Sequence, residues 1–162
     1  MKRDSRLSNI LHALLHMAEH EQRCGRPMTS DMLATCLSTN PVVVRRTMAG
    51  LREQGLVVSE KGHGGGWRLA RPLEAVTLGQ VHAALGEPGL PPEAPPIEAE
   101  GCLIEAAVND ALSDTYAAAR ALLAARLDSI TLADLAADFS RRLAAYPKRD
   151  LLHAHARKSD AP

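Results

Sequence analysis

Between Asn40 and Trp67 the chain carries its tightest constraint on fold. Asn followed by Pro is a strong helix start, because Asn40 can accept from the orphan amides of a first turn and Pro41 at its first position loses no needed donor. Gly55 is the natural residue to close that helix in the left-handed region. Two short segments, 56–60 and 66–70, then flank Lys61-Gly62-His63-Gly64-Gly65 and predict a hairpin with a glycine-rich tip. Upstream, Leu7, Ile10, Leu11, Leu14, Leu15 and Ala18 recur at helical spacing and predict a helix over 6–20, stopped by Gly25 and Pro27. A short second helix is expected over 29–37, with Ser38-Thr39-Asn40 as the turn into the third over 41–54. Helix, helix, turn, helix, hairpin is the order of a winged helix.

A fourth helix is expected over 77–85, packed by Leu78, Val81 and Leu85. Five of the chain's ten prolines fall in 86–100, where no regular structure should persist. A long Ala- and Leu-rich helix follows over 103–128, and Thr131 with Asp134 resembles a capping box that starts a last helix carrying Leu132, Leu135, Phe139 and Leu143. Aromatic residues make up only 2% of the chain, so a core must come from Leu, Ala, Val, Ile and Met, mostly good helix formers. The expected fold class is therefore mainly α with a small β-hairpin: a winged helix-turn-helix domain plus a long C-terminal dimerisation helix. The expected division is 1–85 for the winged domain, 86–102 for a Pro-rich linker or loop, 103–145 for the dimerisation and terminal helices, and 146–162 for a disordered tail.

The formal net charge is zero, but its distribution is uneven. Residues 1–71 hold 11 Lys and Arg against 6 Asp and Glu, whereas 72–162 hold 8 against 13. Attraction to phosphate depends on where charge sits, so a basic N-terminal half suits a reader of double-stranded DNA. No run of 18 apolar residues occurs and the start lacks a signal-peptide apolar block, so a soluble, cytoplasmic protein without a membrane partner is expected. No nucleophile elbow, phosphate loop or paired-His zinc motif is present, so no enzyme is expected.

At about 100° per residue, Val44, Thr47, Met48 and Leu51 fall on one face of the third helix, and Val42, Arg45, Arg46, Ala49, Arg52 and Glu53 on the other. The first face is core. The second can be an ordinary solvated face, or can meet guanine edges, thymine methyls and phosphates in a major groove. Ser38, Thr39 and Asn40 precede the helix, where free amides and side chains would meet phosphate. In the wing, Gly64 and its neighbouring glycines allow close backbone approach while Lys61, His63 and Arg68 supply charge. A winged helix can instead serve as a protein-protein interaction module without specific DNA binding, and that alternative stays open here.

These residues resemble the Rrf-two family of winged-helix transcriptional regulators, the IscR-, NsrR- and CymR-like proteins. The resemblance runs over about 5–143. It rests on Thr39-Asn40-Pro41-Val42-Val43-Val44-Arg45-Arg46, on Leu51 with Gly55-Leu56-Val57, on Gly62 and Gly65-Gly66-Trp67, and on Leu69-Ala70-Arg71-Pro72. Thr77-Leu78 and Ile130-Thr131-Leu132-Ala133-Asp134-Leu135 complete it. It implies a homodimer whose long helices cross, a palindromic operator and repression of nearby genes. Ile104, Val108, Leu112, Thr115, Ala119 and Leu122, close to heptad spacing, independently suit a helix packing on a symmetry mate.

Many members of that family hold an iron-sulfur cluster on three cysteines before the long helix, and here only Cys102 occupies that stretch. The chain is closer to the clusterless, YwnA-like branch, so no cofactor and no cluster are expected. Cys102 would sit in the first turn of the long helix, where the dipole favours thiolate and opens a redox-sensing role, against which Glu98, Glu100 and Glu105 act. Cys36, among Met32, Leu33 and Leu37, reads as core. His12, His16 and His20 are four apart, a spacing that can bind a divalent metal, but no carboxylate or thiol is clearly placed to complete a site. No resident metal is expected, and no effector is identified.

Overall fold

A computed structural model describes residues 5–62, 64–86 and 102–145. Helix α1, Ser5–Cys24, is longer than its periodicity predicts and buries Ile10, Ala13, Leu14, Met17 and Ala18 along one stripe. Gly25, at φ 66°, ends it. Helix α2, Ser30–Cys36, starts where the Thr29 hydroxyl accepts from the Met32 amide at 3.2 Å. Ser38 then takes a positive φ of 50°, which lets the chain double back so that the Thr39 amide reaches the Ala34 carbonyl at 2.9 Å.

Helix α3, Pro41–Glu53, begins as its sequence dictates: Asn40 Oδ1 accepts from the Val42 amide at 2.8 Å, with Pro41 in the first turn. Its end is a Schellman closure. Gly55, at φ 65°, donates to Arg52, and Leu56 donates back to Leu51 at 3.0 Å, with both leucines buried. Strands β1, Val57–Glu60, and β2, Gly66–Leu69, pair antiparallel with Val57 opposite Leu69 and Glu60 opposite Gly66. Met28, ahead of α2, adds an antiparallel bridge to Trp67 through hydrogen bonds of 3.1 and 2.8 Å.

A 3-10 turn, Leu73–Ala75, leads into α4, Leu78–Ala84, opened by a Thr77–Gln80 capping box. Helix α5 spans Leu103–Asp128 and α6 spans Leu132–Ala145. The Thr131–Asp134 box forms: Asp134 donates its amide to the Thr131 hydroxyl at 3.1 Å, and the Thr131 amide and hydroxyl donate to Asp134 Oδ2 at 2.9 and 2.8 Å. Those bonds hold the Asp134 carboxyl below the usual carboxylate range.

The core is one cluster in which α1, α2, α3, the hairpin and α4 meet. Each fully buried Leu or Met in it stabilises the fold by about 1.5–3 kcal/mol. It also crosses the boundary drawn from the sequence at 103. Leu132 of α6 is fully buried in the same cluster, its amide bonded to the Val76 carbonyl at 2.9 Å, while the Leu78 amide takes the Ile130 carbonyl at 2.9 Å. The residues between Gly86 and Cys102, and those after Ala145, lie outside the described residues, as do the linker and tail expected there.

One packing expectation changes. Cys36 is exposed, because in a seven-residue helix only Leu33 and Ala34 turn fully inward; protein packed to one side still raises its thiol pKa by desolvation. Phe139 is 45% exposed, since α6 meets the core mainly through Leu132 and Leu135.

Candidate nucleic-acid interface

Helix α3 is fixed from below by Val44, Met48 and Leu51, all buried, with Thr47 half-buried beside them. Anchoring that stripe leaves Val42, Arg45, Arg46 and Arg52 on the open face, as the helical angles require. Val42 is 63% exposed and Val43, unassigned from the sequence, 54%. Ser38, Thr39 and Asn40 are exposed at the leading end. Among the described residues Arg45 and Arg46 form no ion pair, so both guanidiniums remain available. Arg52 differs: its Nη1 lies 3.5 Å from the Ser59 hydroxyl of β1.

In the wing, Lys61 and Gly64 are exposed, with Gly62 and Gly64 at φ 99° and 82°. A Cβ on Gly65 would stand 2.4 Å from the Glu60 carbonyl oxygen, so the turn closes only around a glycine there. His63 lies outside the described residues.

Arg68 does not present its charge outward. Its Nε donates to Glu60, its Nη1 to Glu21 of α1 at 2.5 Å and its Nη2 to the Gly25 carbonyl at 2.9 Å. The Glu21 hydrogen bond, then Glu60, raises its pKa further. Arg68 therefore braces the wing against α1, a structural role that its expected place on the DNA-facing surface did not include. Nothing local could reveal this, because Glu21 lies far away in the chain. Arg71 does comparable work, donating from Nη2 to the Gln54 carbonyl at the end of α3 at 3.1 Å.

The edge of α1 next to α3 also borders the start of the reading helix. Arg6 and Asn9, with Thr39, Val43 and Thr47, line a cavity of about 180 Å³ beside the start of α3. Their three-residue spacing puts them on one face, but only the α1–α3 packing reveals what that face adjoins.

A sequence profile of the Rrf2 family, described as iron-dependent transcriptional regulators, matches residues 3–138. The chain belongs to the Rrf2 family. It is a winged-helix, DNA-binding transcriptional regulator, as the family and its fold establish. A search of curated proteins by sequence matches none of them. Among solved structures, a Lactobacillus plantarum protein assigned as a transcriptional regulator is 24% identical, covering 95% of this chain and 99% of its own, with a TM-score of 0.68. Staphylococcus aureus CymR in its oxidized form is 22% identical, covering 84% and 96%, at 0.62. T. potens IscR is 22% identical, covering 85% and 88%, at 0.56. These likenesses establish the shared fold.

The iron in the Rrf2 description finds no matching thiolate set in this member. Cys24, Cys36 and Cys102 are all exposed and lie at the end of α1, the end of α2 and the start of α5. Among the described residues no three His, Cys, Asp or Glu side chains gather as a metal site. An iron-sulfur cluster held by cysteines of one chain does not fit this arrangement.

Proposed function

We propose that this Rrf2 protein is a homodimeric repressor that reads a palindromic operator in the cytoplasm, inserting α3 in the major groove and resting the wing on the adjacent backbone. The observation that carries the reading is the open face of α3, where Arg45 and Arg46 stand exposed and unpaired among the described residues, next to Val42 and behind the exposed Ser38-Thr39-Asn40 turn. Two guanidiniums and a small apolar side chain on one helical face match guanine O6/N7, phosphate and thymine methyl groups. Lys61 and the Gly64 backbone serve the wing contact.

A homodimer is supported by α5, none of whose residues is buried among the described residues. Ile104, Val108, Leu112, Thr115, Ala119 and Leu122 are all exposed, Ile104 at 78%. A second copy of α5 covers such a stripe, and two-fold symmetry then sets operator half-sites about 34 Å apart, or multiples of it. Among the described residues no helix is long and apolar enough to cross a membrane. The reading needs no iron-sulfur cluster or other cofactor. Cys102, exposed at the start of α5, is the candidate for thiol responsiveness, and unchanged release from DNA by oxidants in Cys102→Ser would remove that part of the reading.

The deciding experiment is a gel shift on operators selected from random DNA, repeated over a range of salt. Arg45→Ala combined with Arg46→Ala should lower affinity while leaving the fold intact. For every phosphate that is no longer neutralised, the slope of log K against log salt should flatten by about 0.9. Full retention of affinity and slope would refute the proposed reading face. In parallel, Leu112→Glu should convert a dimer to a monomer in light scattering, and a monomeric wild type would refute the α5 interface.

A further inference from the structure

Helix α1 carries on its solvent side a feature that plays no part in reading DNA. His12 and His16, one turn apart, bring their Nε2 atoms to 2.8 Å, with ring centroids 4.5 Å apart and planes tilted by 54°. Both line a cleft of about 300 Å³ between α1 and α6, together with Glu19 from the same edge of α1 and Ser140 from α6. We propose that His12 and His16 chelate a divalent late first-row transition-metal ion through their Nε2 atoms, in the cleft between α1 and α6.

The geometry is that of a preformed pair of nitrogen ligands. An i,i+4 pair in the interior of a 20-residue helix has its backbone fixed, so only side-chain torsions remain to be set, and these already converge the two nitrogens. With metal–nitrogen bonds of about 2.0–2.1 Å, a cis pair at about 90° separates its nitrogens by roughly 2.9 Å and a tetrahedral pair by roughly 3.4 Å. The observed 2.8 Å is the length of the metal-free hydrogen bond and lies close to the first value, so small side-chain rotations bring the two nitrogens onto one ion, and imidazole ligands suit the late first-row divalent ions. Without metal the same contact is a hydrogen bond, one Nε2 donating to the other. Metal binding needs that one ring to change tautomer, so that both Nε2 lone pairs point at the ion and both Nδ1 atoms carry hydrogen.

The surroundings favour a cation. Glu19, within two helical turns of both histidines on the same edge, supplies negative charge, and no Lys or Arg lines the cleft among the described residues. Water completes the coordination. Such a site is open and exchangeable, unlike a closed structural zinc centre. It uses nitrogen ligands for a single ion, so it is independent of the cysteines and of the DNA-reading face.

The test is titration of the untagged full-length protein with Ni2+, followed by calorimetry and thermal denaturation. One ion should bind per chain, and Tm should rise by about 5–10 °C at a free concentration roughly a hundredfold above Kd. Exposed His12→Ala, whose fold is checked by circular dichroism, should abolish both effects, and His16→Gln should do the same. His20→Ala, outside the cleft, should keep them. Absence of saturable binding, or binding that survives His12→Ala, would overturn the proposal, as would loss in His20→Ala alone.

Discussion

Replacing Gly66 by Ala isolates the contact that ties the wing to the helical part of this Rrf2 fold. Gly66 is not among the glycines with positive φ, so its backbone conformation is open to alanine and the objection is steric alone. A Cβ there would stand 2.4 Å from the Met28 carbonyl oxygen and 2.7 Å from its carbon. Ordinary carbon–oxygen contacts lie at about 3.3–3.6 Å, so strand and segment must part by roughly 1 Å. That movement strains the two Met28–Trp67 hydrogen bonds and the 3.0 Å bond from Trp67 Nε1 to the Ser30 hydroxyl. At about 0.5–1.5 kcal/mol for each bond, the expected loss is about 2–4 kcal/mol, or about 5–15 °C in Tm for a chain of this length. Gly50→Ala provides the contrast: Gly50 lies inside α3, its Cβ would meet nothing closer than the Ala84 carbonyl at 3.8 Å, and the change should stabilise by about 0.5–1 kcal/mol. Circular dichroism melts of the two variants beside the wild type decide the matter. A Gly66→Ala midpoint within about 2 °C of wild type would refute the reasoning.

Leu132→Ala should cost about 2–5 kcal/mol, because the side chain is fully buried in the shared core, and should shift the urea midpoint of the whole transition with little change in slope. Arg68→Ala should speed hydrogen exchange in β1 and β2 and weaken operator binding without altering its salt slope, whereas Arg46→Ala should lower that slope. Asp134→Asn should be less stable than wild type at neutral pH. Because the folded pKa of Asp134 is depressed, that difference is present above the unfolded value of about 3.9 and should vanish as pH falls through the lower folded value, measured by melts from pH 7 downward.

What the sequence made legible was mostly local chemistry. The start of α3 at Asn40-Pro41, its end at Gly55 and the Thr131–Asp134 box follow from side chains reaching backbone a few residues away, and α5 from an unbroken run without Pro or Gly. The outward placement of Arg45 and Arg46 follows from helical angles once Val44, Met48 and Leu51 are fixed as core. Features set by distant partners were hidden. Strand position alone could not show that Arg68 turns to Glu21 on α1, nor could two turns of periodicity place Cys36 outside the core. The convergence of His12 and His16 was half visible: spacing put them on one face, but the ring orientations and the wall supplied by α6 were not.

The position of Leu132 matters for how such a chain comes off the ribosome. The helices and hairpin that form most of the core are synthesised first, yet the leucine that fills the space beside Val76 follows the whole of α5. A nascent chain paused within α5 has a winged portion with a leucine-sized gap and unanswered backbone groups at Val76 and Leu78. Completion of the fold therefore waits on the segment that follows α5, so the DNA-reading part reaches full stability only after the helix that offers a surface to a second copy has been made.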